Sequence, residues 1–106
     1  MIYAVLFIHW VADFILQTDR QAKGKSSSVI RLLEHILTYT IVMVFFFGFK
    51  FGLVNGAAHF IIDFFTSKAT KYLYNKGDTH NFFVVIGLDQ LLHTIILIYT
   101  LEMIHV

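Results

Sequence analysis

The sequence predicts an all-α fold, an integral membrane four-helix bundle built from two helical hairpins that repeat in parallel. Three observations predict it. Hydrophobic residues make up 58% of the 106 residues and charged residues only 14%, where a soluble domain carries about 45–50% and about 25%. Proline is absent, and the apolar residues collect in four segments separated by polar or glycine-containing connections. A histidine–aspartate pair at helical spacing also occurs twice, in HWVADFI (residues 9–15) and in HFIIDFF (residues 59–65).

The four segments follow in order. A helix needs about 20 residues to cross about 30 Å of hydrocarbon. The first span is Met1–Thr18. Its apolar run MIYAVLFIHW has no basic region before it and no small-residue cleavage site after it, so it reads as mature structure and not as a secretory signal. The polar stretch DRQAKGKSSS (residues 19–28) follows, and Ser28 is placed to N-cap the second span, Val29–Phe49. GFKFG (residues 48–52) reads as a tight turn into the third span, Phe51–Ser67, whose helix can continue to Tyr74. YNKGDTH (residues 74–80) holds a Lys-Gly-Asp turn, from which Asp78 or Thr79 can cap the fourth span, Asn81–Met103. No linker is long enough to lead to another domain, so residues 1–106 form a single transmembrane domain.

Basic residues sort by side. Arg20, Lys23, Lys25 and Arg31 flank the first connection, and Lys68, Lys71 and Lys76 flank the third, whereas the second has only Lys50. The positive-inside rule then puts residues 19–28 and 68–80 in the cytoplasm and both termini outside the cell (inner) membrane. A formal net charge of +1 gives no reason to invoke nucleic acid as a partner.

The spans carry ionisable residues, each costing about 2.5–3.5 kcal/mol at a helix centre on insertion scales. They are His9 and Asp13 in the first, Glu34 and His35 in the second, His59 and Asp63 in the third, and Asp89 and His93 in the fourth. Residues four apart share a helical face. His9, Asp13 and Gln17 therefore form one stripe, His59 and Asp63 another, and Asp89 and His93 a third, with Gln90 three residues from His93. Apolar residues occupy the remaining faces, so each stripe should turn to the bundle interior. Counted from the cytoplasmic edge, Asp13, His35 and Asp63 lie roughly 6–8 Å deep and His9, His59 and Asp89 roughly 11–14 Å, with His93 deeper. His-x-x-x-Asp on the inward-running helices becomes Asp-x-x-x-His on the outward-running fourth. That reversal is what antiparallel helices need to line one cavity. The two hairpins share one orientation, which implies a pseudo-two-fold axis along the membrane normal.

The chain has no cysteine, so a metal here must use imidazole, carboxylate or amide ligands. The expected ligands are His9, Asp13, His35, His59, Asp63, Asp89 and His93, with Gln90 behind them. Seven donors can hold one or two divalent ions, one associated with each pseudo-half; zinc is the first expectation, with manganese or iron as alternatives. Such a centre polarises a phosphoryl or carbonyl oxygen and acidifies bound water. Just beneath the cytoplasmic headgroups it would reach a membrane lipid or lipid-linked substrate, so the expected function is metal-dependent hydrolysis, with Glu34 and Gln17 as catalytic candidates. The same residue types also build divalent-metal or proton pathways, or a structural site in a small accessory membrane protein. The apolar outer halves Ile41–Phe47 and Ile95–Leu101 argue against a pathway. Bis-histidine haem ligation by His9 and His59 is disfavoured by the adjacent aspartates. Trp10, near mid-span, is expected to pack between helices, and His80 and His105 to be solvated. Four short helices enclose little volume, which makes a homodimer an expectation.

The segments HWVADFILQTDRQAKGK, EHILTYT, HFIIDFFTSK and LDQLLH together resemble a bacterial and phage membrane-protein family known as domain of unknown function 3307. The resemblance rests on His9, Asp13, Phe14, Gln17, His35, His59, Asp63, Asp89, Gln90 and His93 and covers nearly the whole chain. It implies a small membrane protein and supplies no activity, so function has to come from the site.

Overall fold

The computed structural model describes residues 1–17 and 28–104, which fold into four helices. No strand occurs among the described residues. The first connection predicted at residues 19–28 lies, except for Ser28, outside them.

Helix α1 starts at Ile2 and is α-helical to Trp10. It then widens into a π-helical turn over Val11–Ile15, in which the Leu16 amide bonds the Val11 carbonyl five residues back at 2.9 Å. The helix ends there, three residues short of the predicted Thr18. Gln17 therefore lies beyond the helix that was expected to carry it. π-turns inside α-helices are rare and concentrate at functional sites, and Asp13 sits in the middle of this one.

Helix α2 spans Val29–Phe47, with the Ser28 hydroxyl accepting from the Arg31 amide at 3.5 Å as its N-cap. It stops at Gly48, whose φ of 93° and ψ of 169° belong to glycine. Helix α3 begins at the next residue and runs over Phe49–Lys76. The hairpin connection is thus one residue, not the five of GFKFG, because Gly48 alone reverses the chain. Gly52 serves a different purpose. A Cβ there would overlap Val44 of α2, and one on Gly56 would overlap Thr40. The two glycines let α2 and α3 approach backbone to backbone, the small-residue device of tightly packed membrane helices.

α3 continues past Tyr74 and closes in a Schellman motif. Gly77 takes the left-handed conformation, Asp78 N–H bonds the Leu73 carbonyl at 2.9 Å and Gly77 N–H bonds that of Tyr74 at 3.1 Å. Asp78 then caps helix α4, Thr79–Met103, by accepting from the Asn81 amide at 3.1 Å. The Asn81 side chain also donates to that carboxylate, at 2.7 Å, and these two bonds hold the Asp78 carboxyl below the usual range.

The helices form a ring. α3 packs along α2 and α4, and α1 closes the circuit by fitting between α2 and α4. Its interior is as polar as it is apolar. Among the described residues, nine buried side chains are polar or charged and eight are hydrophobic. The outside is the reverse: Tyr3, Phe7, Phe45, Phe65, Ile95 and Tyr99 are all exposed. Trp10 belongs to this outer surface at 49% exposure, with its ring 6.0 Å from that of Phe7. It does not pack between helices, because Val5, His9, Ala12 and Asp13 fill the inner face of α1.

α2 and α4 are long and apolar enough to cross a membrane. Ile2–Ile15 is apolar but shorter. α3 has the length, with Asn55, Gly56, His59 and Asp63 interrupting its apolar run. Toward the Gly48 end, Val5, Met43, Phe51 and Leu97 pack into an apolar plug, each no more than 1% exposed.

Candidate metal centre

The polar stripe on α3 recurs every four residues as Asn55, His59, Asp63 and Ser67, all buried. Its middle pair meets His35 of α2 and Asp13 of α1. Asp13 Oδ1 lies 3.0 Å from His35 Nε2 and 3.2 Å from His59 Nε2. The two imidazole nitrogens are 3.1 Å apart. Asp63 Oδ2 lies 3.5 Å from His35 Nε2 and 3.8 Å from His59 Nε2. No member of this quartet is more than 4% exposed. The four donors lie close enough together to hold a metal ion.

The spacing can be tested against a coordination shell. Arms of about 2.0–2.1 Å to nitrogen and oxygen give a regular tetrahedron donor–donor edges of about 3.3 Å. The five separations above run from 3.0 to 3.8 Å and bracket that edge. The donor chemistry agrees. An ionised carboxylate only accepts, and a neutral imidazole has one N–H and one lone pair. Two Nε2 atoms aimed at one carboxylate oxygen and at each other compete for the same acceptor. Hydrogen bonds alone leave this quartet incompletely matched, and a cation at its centre would satisfy all four donors.

A second set of donors lies on the other side of the two aspartates. Nδ1 of His9 meets the Tyr39 hydroxyl at 2.7 Å, which turns Nε2 inward, 3.8 Å from Asp13 Oδ2. His93 Nδ1 lies 3.2 Å from Asp89 Oδ2, and its Nε2 lies 3.8 Å from Asp63 Oδ1 and meets His59 Nδ1. Thr66 donates to Asp89 Oδ1. The Gln90 amide bonds Asp13 Oδ2 at 3.1 Å and Asp89 Oδ2 at 3.0 Å, while its oxygen lies 3.2 Å from His9 Nε2. His9, Asp13 and His93 form one further group able to hold an ion, and Asp63, Asp89 and His93 another.

All seven expected ligands therefore fall in these groups, with Gln90 beside them. Two other expected residues do not. Glu34 points to the flank of α2, where its carboxylate pairs with Arg31 at 2.7 Å. Gln17 lies outside the donor groups, with its Oε1 buried and unbonded. Nor does each pseudo-half hold its own ion's donors, since the quartet takes Asp13 and His35 from one half and His59 and Asp63 from the other. His80 is exposed at the start of α4, and His105 lies outside the described residues.

Sequence reasoning missed Tyr39 and Thr66, although the signal was present. Tyr39 is four residues after His35 and Thr66 three after Asp63, so each shares a face with a ligand candidate. It also missed the buried bond from the Asn55 amide to Thr100 Oγ1, 2.9 Å, which ties α3 to α4 beyond His59.

Set beside known proteins, the chain matches over residues 1–106 the family described as protein of unknown function (DUF3307). No curated protein and no solved structure matches it. The chain belongs to this family along its whole length.

Proposed function

We propose that this member of the DUF3307 family is an integral membrane metalloprotein that hydrolyses an ester or phosphate bond of a lipid or lipid-linked substrate. A divalent transition-metal ion, zinc before manganese or iron, is held by Asp13, His35, His59 and Asp63. The observation that carries the reading is the close spacing of those four buried donors, drawn from three helices, with five of their separations between 3.0 and 3.8 Å.

The membrane setting is supported by the inverted distribution of polarity. Large apolar side chains cover the outside, and histidines and aspartates fill the inside. The seven basic residues flanking the first and third connections then put those connections in the cytoplasm. The apolar plug of Val5, Met43, Phe51 and Leu97 closes one end, which argues against a path for ions through the bundle. Toward the other end the buried Ser67 Oγ and Gln17 Oε1 have no hydrogen-bond partner among the described residues, four residues beyond Asp63 and Asp13 respectively. Bound metal would supply an acidified water and polarise the substrate oxygen. Glu34, engaged with Arg31, has no part in this chemistry. The partners implied are membrane lipid and, because four short helices enclose little volume, a second copy of the chain.

One observation favours a second reading. Four protein donors around one ion leave no open position, the hallmark of a structural site. Elemental analysis of detergent-purified protein beside His59→Ala and Asp63→Ala, followed by assays on lipid esters and phosphate esters, separates the two. At least one bound equivalent, lost in both variants, with hydrolysis in the wild type alone, is the expected result. Metal without hydrolysis leaves the structural reading, and no metal after add-back overturns both.

A further inference from the structure

We infer that Asp13 is a bridging carboxylate, and that the centre has a second metal position held by its other oxygen with His9 Nε2 and His93 Nε2, three donors that lie close enough together to hold an ion. The inference rests on the metal reading above and extends it from one ion to a coupled pair.

Both aspartates face two ways. Asp13 turns Oδ1 to His35 and His59 at 3.0 and 3.2 Å, and Oδ2 to His9 at 3.8 Å. Asp63 turns Oδ2 to the same His35 and His59 at 3.5 and 3.8 Å, and Oδ1 to His93 at 3.8 Å. Each carboxylate thus spends one oxygen on the quartet and presents the other on its far side. Asp13, used this way, would span two ions about 3.5–4 Å apart.

His9 is held from behind, where Tyr39 Oη bonds its Nδ1 at 2.7 Å. Asp89 Oδ2 lies 3.2 Å behind His93 Nδ1 without a hydrogen bond, and His93 Nε2 meets His59 Nδ1. A carboxylate or hydroxyl behind one ring nitrogen, with the other aimed inward, is how metal-ligating histidines are oriented. Asp89 acts here through His93, and Thr66 in turn fixes Asp89.

The internal repeat points to the same position. Exchanging the halves takes His9 to His59, Asp13 to Asp63 and His35 to His93. The quartet Asp13, His35, His59, Asp63 then becomes Asp63, His93, His9, Asp13. Three members of that image, His9, Asp13 and His93, are the proposed second position.

Gln90 explains why the second position is looser. Its amide oxygen lies 3.2 Å from His9 Nε2 and its nitrogen donates to Asp13 Oδ2 at 3.1 Å. These are two of the three atoms the second ion would take, so a neutral amide links them in the ion's place and would yield when it enters. Asp89 and Gln90 are also partly exposed, unlike the quartet. The quartet would enclose its ion, whereas three protein donors at the second position would leave the open place that hydrolysis requires.

The test is titration of the full-length, detergent-purified chain with Co²⁺, following stoichiometry by elemental analysis and coupling by electron paramagnetic resonance. The expected result is two Co²⁺ per chain, the second ion quenching the signal of the first through the bridging Asp13 carboxylate. Tyr39→Phe, which keeps the ring and removes the hydroxyl behind His9, should weaken only the second equivalent, by about 10–100-fold. Saturation at one Co²⁺ overturns this inference and leaves the single-ion reading standing. Two magnetically independent ions overturn the bridging. No bound Co²⁺ overturns the metal centre altogether.

Discussion

Nε2 of His35 lies 3.1 Å from Nε2 of His59, ring nitrogen facing ring nitrogen across the α2–α3 interface. At most one of them can use a proton for that contact, and both also face Asp13 Oδ1. A cation between them removes the competition. His35→Ala and His59→Ala should each lower metal affinity by more than about 100-fold, since each deletes a direct ligand where even an orienting partner is worth about 10–100-fold. Competition against a chromophoric chelator measures it. Wild-type affinity in either variant would remove that histidine from the coordination shell.

Metal bound to the folded chain and not to the unfolded one must also stabilise the fold. The centre ties α1, α2 and α3 together, and α1 has the least packing of its own. At free metal about 100 times the dissociation constant, binding adds about 2.7 kcal/mol. Stripping the protein with a chelator should lower its thermal midpoint in detergent, and add-back should restore it. A midpoint indifferent to chelator would mean that the four donors are held together by packing and hydrogen bonds alone.

The all-helical fold and the gathering of the seven residues were both legible in the sequence. Their gathering could be read because residues four apart share a face and because an aspartate inside an apolar helix needs a reason. What lay beyond reach was backbone detail. The π-turn at Val11–Ile15 changes which residues of α1 face inward, and no residue in VADFI announces it. GFKFG looked like a turn because it holds two glycines, but only Gly48 turns the chain, while Gly52 sits where Val44 comes too close for a side chain. Which glycine bends and which admits a neighbour depends on the facing helix. Glu34 looked like part of the site because it adjoins His35, yet adjacent helical residues point about 100° apart.

Orientation gives an independent check. The chain holds no cysteine, so single cysteines report without background. Lys76→Cys, at the end of α3, should react with a membrane-impermeant thiol reagent only after cells are opened. Lys50→Cys, two residues after Gly48, should react in intact spheroplasts. The reverse pattern would put the metal centre near the outer leaflet and change the substrate pool it can reach.

The glycines of α3 set the last prediction. A Cβ at Gly52 or Gly56 would overlap Val44 or Thr40, so Gly52→Val and Gly56→Val must push α2 and α3 apart. Overpacking of this kind costs about 1–3 kcal/mol, and here it also widens the interface that brings His35 to His59. Both variants should therefore lose thermal stability in detergent and bind metal more weakly, although neither glycine is a ligand. Gly87 is the control. It lies in α4, where an added Cβ would meet no atom within 4 Å, so Gly87→Ala should hold or raise stability, by up to about 1 kcal/mol from helix propensity, and leave metal binding unchanged. If Gly56→Val binds metal like the wild type while Gly87→Ala does not, then the close α2–α3 approach is not what positions the histidines.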